Sequence, residues 1–118
     1  LNPQGKLIFT TLNGLFPLFH SVKEFMAAAS KEGNAQYDNN SFDLMTLRDR
    51  HTIQIEDDLG NTKKLECNER YYVPSEITWL LTTLNFPVID IFAAKLGAFS
   101  RQDSLTTEDF EMLVIAEK

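Results

Sequence analysis

Leu1-Asn2-Pro3-Gln4-Gly5-Lys6-Leu7-Ile8-Phe9 opens the chain with a turn that runs directly into an apolar strand. Proline and glycine close one element and launch the next, an arrangement that belongs in the middle of a domain. The chain is therefore expected to be a piece of a larger protein, its C-terminal part. From Lys6 to Asn13 the residues Leu7, Ile8, Phe9 and Leu12 are separated only by threonines. Such a nearly continuous apolar run suits a strand buried on both faces. Gly14 and Pro17 end it.

Downstream the apolar period becomes helical over residues 16–31. Leu15, Leu18, Phe19, Val22, Phe25, Met26 and Ala29 fall on one face, and His20, Lys23, Glu24, Ala27 and Lys31 lie on the other. Gly33-Asn34 is the stop, and a polar connection without periodicity is expected over 34–41. Residues 51–67 carry a hairpin signal, because two alternating segments flank turn chemistry at 57–61. Ile53, Ile55, Leu65 and Cys67 are expected to share one face, with charge on the other. A short third strand is expected over 42–47. Pro74, in the first turn, starts a second helix with the stripe Ile77, Leu80, Leu81 and Leu84. A strand over 86–94, a loop over 96–109 and a last apolar strand over 110–116 complete the chain. The strand–helix–strand crossover should be parallel, and the last strand antiparallel.

Composition narrows the function classes. With 118 residues, 43% of them hydrophobic and nine of them phenylalanine, the chain can bury one globular core. The net charge of −6 and the scattered lysines and arginines argue against nucleic acid. No apolar run approaches the ~20 residues of a membrane-spanning helix, so no membrane partner is expected. The single cysteine, Cys67, suits a reducing compartment, and a cytoplasmic location is expected. Its neighbours Glu66 and Glu69 disfavour a thiolate, so Cys67 is expected to be an ordinary strand residue. One cysteine and two distant histidines offer no zinc spacing. Glu56-Asp57-Asp58 with Asn61 lacks the alternating oxygens of a calcium loop and reads as a solvated turn. No metal is expected.

The order of these segments resembles the second half of the class I, Rossmann-like S-adenosylmethionine-dependent methyltransferases. In that family a Leu-Lys-Pro-Gly-Gly turn precedes the fifth strand, and Leu1 to Phe9 is similar, with Gln4 in place of the first glycine. The family's last helix begins with a Pro/Ser-Glu pair and ends before an aromatic-led sixth strand. Tyr71-Tyr72-Val73-Pro74-Ser75-Glu76-Ile77 through Leu84-Asn85-Phe86-Pro87-Val88-Ile89-Asp90-Ile91 is similar, with Asn85 where glycine is usual. Phe110 to Ala116 would be the seventh strand.

The resemblance implies an α/β fold with a mixed sheet, two main helices and an inserted β-hairpin. Segments near positions 9, 90 and 113 would lie side by side as the fifth, sixth and seventh strands. The last of them would be antiparallel and central. Residues 1–118 would be the C-terminal part of a methyltransferase domain, with 14–72 as a substrate-side insertion. The family holds its cofactor with an acidic residue and a glycine-rich loop after its first strand, and with a further acid after its second. The five glycines here, Gly5, Gly14, Gly33, Gly60 and Gly97, are far apart. The resemblance thus implies S-adenosylmethionine in the whole enzyme, no cofactor-binding residue in this chain and no activity from it alone.

Open α/β sheets bind ligands beyond the carboxyl ends of their parallel strands. Thr10, Thr11 and Asn13 would there line a pocket for a small-molecule substrate, or else cap the strand. Tyr71 and Tyr72 would contact substrate through their hydroxyls, or pack between the insertion and the sheet. His20 with Glu24 one turn later has the spacing of a general base and its orienting carboxylate, or of a solvated helix face. His51 has no partner by sequence, and no catalytic residue is assigned. A non-catalytic α+β interaction module is the alternative function. An open apolar edge at Lys6–Asn13 would favour self-association.

Overall fold

The computed structural model describes residues 2–30, 36–95 and 98–118. Its elements are β1 (Lys6–Leu12), α1 (Phe16–Phe19), α2 (Val22–Ser30), β2 (Gln36–Asp43), β3 (Arg48–Glu56) and β4 (Thr62–Arg70). They continue with α3 (Pro74–Thr83), β5 (Val88–Lys95), β6 (Ala98–Ser104) and β7 (Glu111–Glu117). Two compact units result: Leu1–Phe19 with Tyr71–Lys118, and His20–Arg70.

The first unit is a four-stranded sheet in the order β1-β7-β5-β6. β7 pairs antiparallel with β1 on one side, Phe9 opposite Val114, and with β5 on the other, Ile91 opposite Val114. β1 and β5 therefore run the same way with the last strand between them. Every ladder among the described residues is antiparallel, so the expected parallel contact is replaced by two antiparallel ones. Met112, Val114 and Ala116 on β7 are fully buried and pack with Ile77 and Leu81 of α3. Leu7, Phe9, Phe86 and Ile91 close this core. β1 is not buried on both faces as its composition suggests, because Ile8 on its far side is 60% exposed.

α3 begins as expected, with Pro74 at its first position behind the extended Val73. It ends with the Phe86 N–H donating to Leu81 O (2.8 Å) and the Asn85 N–H to Thr82 O (3.1 Å). This is the bond pattern that a left-handed residue past the helix end permits, and Asn85 has φ 64. Gln4, the other residue standing where the family has glycine, also takes a positive φ, 65. Both replacements keep the backbone conformation that glycine adopts without strain.

Three elements differ from expectation. The helix over 16–31 is interrupted at His20-Ser21, because the Ser21 hydroxyl accepts the Glu24 N–H (3.2 Å) and caps a new helix, α2. Lys31 lies outside the described residues. The polar connection is strand β2 from Gln36 onward, while residues 34 and 35 lie outside the described residues. The third strand therefore ends at Asp43, and 44–47 is a turn in which Asp43 Oδ1 accepts the Met45 N–H (2.9 Å) and Oδ2 the Thr46 hydroxyl (3.0 Å). These bonds hold the Asp43 carboxyl below its usual pKa. Finally, the loop over 96–109 contains strand β6, which pairs back onto β5; Leu96 and Gly97 lie outside the described residues.

The second unit holds a three-stranded antiparallel sheet, β2-β3-β4. Its β3–β4 hairpin is longer than expected and turns through Asp57–Asn61, where Gly60 has φ 80. Asp57 Oδ1 accepts the backbone N–H groups of Leu59 and Asn61, so the acidic turn is closed on itself. The register pairs Ile53 with Leu65 and His51 with Cys67, which puts these four on one face. Asp49 and Glu69, also paired, share that face, so charge is not confined to the other one.

Gly14 marks where the backbone can tolerate least. A Cβ there would stand 2.9 Å from Tyr72 C and from Val73 N. Gly14→Ala should destabilise the chain by about 1–3 kcal/mol through overpacking. Asn85→Val should cost about 1–2 kcal/mol, because a β-branched residue resists positive φ. Urea unfolding measures both, and an unchanged midpoint for either variant would contradict the geometry described.

Candidate functional site

Two groups of polar side chains are organised by the fold, one in each unit. The first lies at the end of β1. Leu12 O accepts the Tyr72 N–H (3.3 Å), and Tyr72 O accepts the Gly14 N–H (2.8 Å), so the Tyr71–Val73 segment is stitched to the strand end. Asn13 and Tyr72 form a parallel bridge.

Asn13 is fully buried and holds this rim together. Its amide Nδ2 donates to Asp109 O (2.8 Å) and Thr106 O (3.2 Å), while its Oδ1 accepts the Leu15 N–H (3.1 Å). The 106–109 turn is itself closed by Asp109 Oδ2, which accepts the Thr106 N–H (2.8 Å) and hydroxyl (3.0 Å). One asparagine thus joins β1, the start of α1 and the turn that leads into β7. Tyr71 is fully buried, its ring edge-on to Phe110 at 5.9 Å, and Phe16 meets the same ring at 5.4 Å.

Of the residues singled out from sequence, the structure thus brings Asn13, Tyr71 and Tyr72 to one rim, and Thr11 stands two positions before Asn13 on β1, opposite Met112. Thr10 stands exposed one position earlier on β1, on the opposite side of the strand from Thr11. Tyr72 is half-buried and packs against the core. His20 belongs to the other compact unit, in the break before α2.

The second group was not legible as a site in the sequence. Asp49 and His51 stand two apart on β3, and Glu69 is the cross-strand partner of Asp49 on β4. Strand alternation sends all three to one face. The side chains of Asp49 and His51 are fully buried, with His51 Nδ1 3.1 Å from Asp49 Oδ2. Burial pushes the Asp49 carboxyl above its usual pKa; His51 pulls it down and the Glu69 charge adds to the rise. Burial likewise raises the Cys67 thiol, with Glu69 and Asp49 adding to it, so Cys67 is a poor nucleophile. An Asp-x-His pair on an alternating strand was the available signal. Without the β4 register, Glu69 could not be added to it.

Among the described residues, the glycines do not form a cradle for S-adenosylmethionine. Gly14 is pressed against the Tyr72–Val73 backbone, Gly60 shapes the hairpin turn, and the Gly5 N–H closes the initial turn on Asn2 O (2.8 Å). No two of these described glycines frame one ligand. Among the described residues, no helix is long and apolar enough to cross a membrane.

The rim depends on the Asn13 amide. Asn13→Ala removes three hydrogen bonds, leaving the Asp109 carbonyl and the Leu15 N–H without their side-chain partner while Thr106 O keeps the Asp109 N–H (3.3 Å), and should cost about 2–4 kcal/mol. Asn13→Asp loses both donated bonds and buries a charge, so it should cost at least as much. Denaturant unfolding measures both, and a loss under about 1 kcal/mol for Asn13→Ala would contradict the clamp.

No protein-family model matches the chain, and no curated protein matches it in sequence. Its fold, however, matches solved structures, among them two methyltransferases. The CcbJ methyltransferase from Streptomyces caelestis superposes with a TM-score of 0.63 at 9% identity, over 98% of this chain and 47% of that one. An S-adenosylmethionine-dependent methyltransferase from Clostridium acetobutylicum superposes with a TM-score of 0.58 at 14% identity, over 96% of this chain and 44% of that one. The chain spans just under half the length of each. It therefore has a methyltransferase-like fold, and likeness at this level of identity speaks to fold alone.

Proposed function

We propose that this chain is the substrate-recognition portion of an S-adenosylmethionine-dependent methyltransferase, with the cofactor-binding portion contributed by residues outside it. The observation that carries this reading is the trio β1-β7-β5, in which the last strand runs antiparallel between two strands of common direction. In the family resemblance these are the fifth, seventh and sixth strands. The superposition of nearly the whole chain on about half of two methyltransferases supports a methyltransferase-like fold for this portion. β6 extends the sheet beyond β5 and has no counterpart in the segments that carry the resemblance.

In such an enzyme the cofactor supplies the reactive methyl group, and the protein orients the acceptor atom toward it. The chain's own contribution would be positional. Thr10 and Thr11 lie just before the end of β1, where open α/β sheets bind ligands, and Tyr72, next to Tyr71, is tied to that end by Gly14 and Leu12. Asn13, its amide taken up by the 106–109 turn, would fix the geometry of this rim. β1 lies at one edge of the sheet, with Ile8 exposed. That edge is where further strands of the domain, or a second copy of the chain, would pair.

The coding sequence upstream of Leu1 and the longer polypeptide that it encodes test this. A strand followed by an acidic residue and a glycine-rich loop is expected there. The longer polypeptide should bind S-adenosylmethionine, whereas residues 1–118 should not. A long polar linker upstream would instead favour the non-catalytic α+β interaction module. S-adenosylmethionine binding by residues 1–118 alone would contradict the division of labour proposed.

A further inference from the structure

One rung of the second sheet, Phe42–Asp49–Glu69, sets two carboxylates side by side on one face. The Asp49 side chain is fully buried, and among the described residues its Oδ1 has no hydrogen-bond donor. Like charges directly opposite one another are unfavourable in a sheet, and a carboxylate withdrawn from water requires compensation. The arginines of the hairpin do not supply it, because Arg48, Arg50 and Arg70 alternate to the opposite face. Among the described residues of β3 and β4, Lys63 is the one lysine or arginine on the Asp49 face, and it lies six rungs away, opposite Ile55.

We propose that Asp49, His51 and Glu69 bind a divalent transition-metal cation of the zinc class. One donor atom from each lies within 4.8 Å of the others. The 3.1 Å between His51 Nδ1 and Asp49 Oδ2 is close to the ~3.3 Å that separates two ligands held ~2.0–2.1 Å from one tetrahedral ion. One imidazole nitrogen with two carboxylate oxygens suits zinc, cobalt or manganese, whereas calcium and magnesium favour oxygen alone. Charge points the same way. A dication neutralises both carboxylates around a neutral imidazole, while a single proton leaves one carboxylate charge in place. Two ligands from one strand and a third from its cross-strand partner are held by the ladder itself. Three protein ligands leave a fourth position open to water or to a substrate atom. The β2–β3 ladder shifts register between Asp38 and Ser41, across from His51, an irregularity of the kind that sheets place beside functional sites. The site would exist whether or not the chain takes part in methyl transfer.

The whole 118-residue chain, stripped with a chelator, is titrated with zinc and separately with cobalt(II) by calorimetry, with thermal unfolding as a second readout. One saturable site per chain is expected, with Tm rising as metal is added, and with the visible absorption of tetrahedral cobalt(II). Asp49→Asn and Glu69→Gln should each weaken binding about tenfold or more. Asp49→Asn should also raise the Tm of the metal-free chain, because it removes the buried charge without changing the side-chain shape. Non-saturable binding, or binding that survives both substitutions unchanged, is adventitious and overturns the proposal. So does an Asp49→Asn variant that melts earlier without metal and keeps its metal response.

Discussion

The fold depends on β7 occupying the slot between β1 and β5. A strand hydrogen-bonded on both edges has no free backbone groups to satisfy elsewhere, and Met112, Val114 and Ala116 leave no surface on its inner face. Each large side chain buried there contributes on the order of 1.5–3 kcal/mol. The strand arrives last in the chain, so the outer strands are joined only when residues more than 100 positions apart come together, as in the Lys6–Glu117 ion pair at 2.8 Å. Removing β7 would leave β1 held, among the described residues, chiefly by the Tyr72 stitch and by the Asn13 amide on the 106–109 turn.

The same closure positions the candidate rim. β7 is entered through the 106–109 turn, and Asn13 grips that turn from the end of β1. The strand that completes the sheet and the residues proposed to face a substrate are therefore coupled through one buried amide. In the second unit the governing term is electrostatic. Its sheet gathers acidic groups on a partly apolar face, and a fully buried Asp49 side chain set opposite Glu69 calls for a compensating positive charge.

The first unit was largely legible in the sequence, because dense apolar runs and the Pro74 start carry strong local signals. Gln4 and Asn85 looked like departures from a glycine pattern, yet both adopt positive φ, so the backbone preserves what the side chains obscure. β6 was missed because Phe99-Ser100-Arg101-Gln102-Asp103 belongs to an edge strand whose exposed side chains carry no alternation. The break before α2 is a capping event, and the apolar stripe that runs through it disguised it. The Asp49–His51–Glu69 group was out of reach for a different reason. It depends on a cross-strand register, which a local pattern cannot specify.

Cross-strand nuclear Overhauser contacts to Val114 test the central arrangement most directly. The account predicts contacts from Val114 to both Phe9 and Ile91, the partners that flank it in the two antiparallel ladders. Contacts to one of them alone would put β7 at an edge of the sheet and contradict the arrangement on which the rest is built.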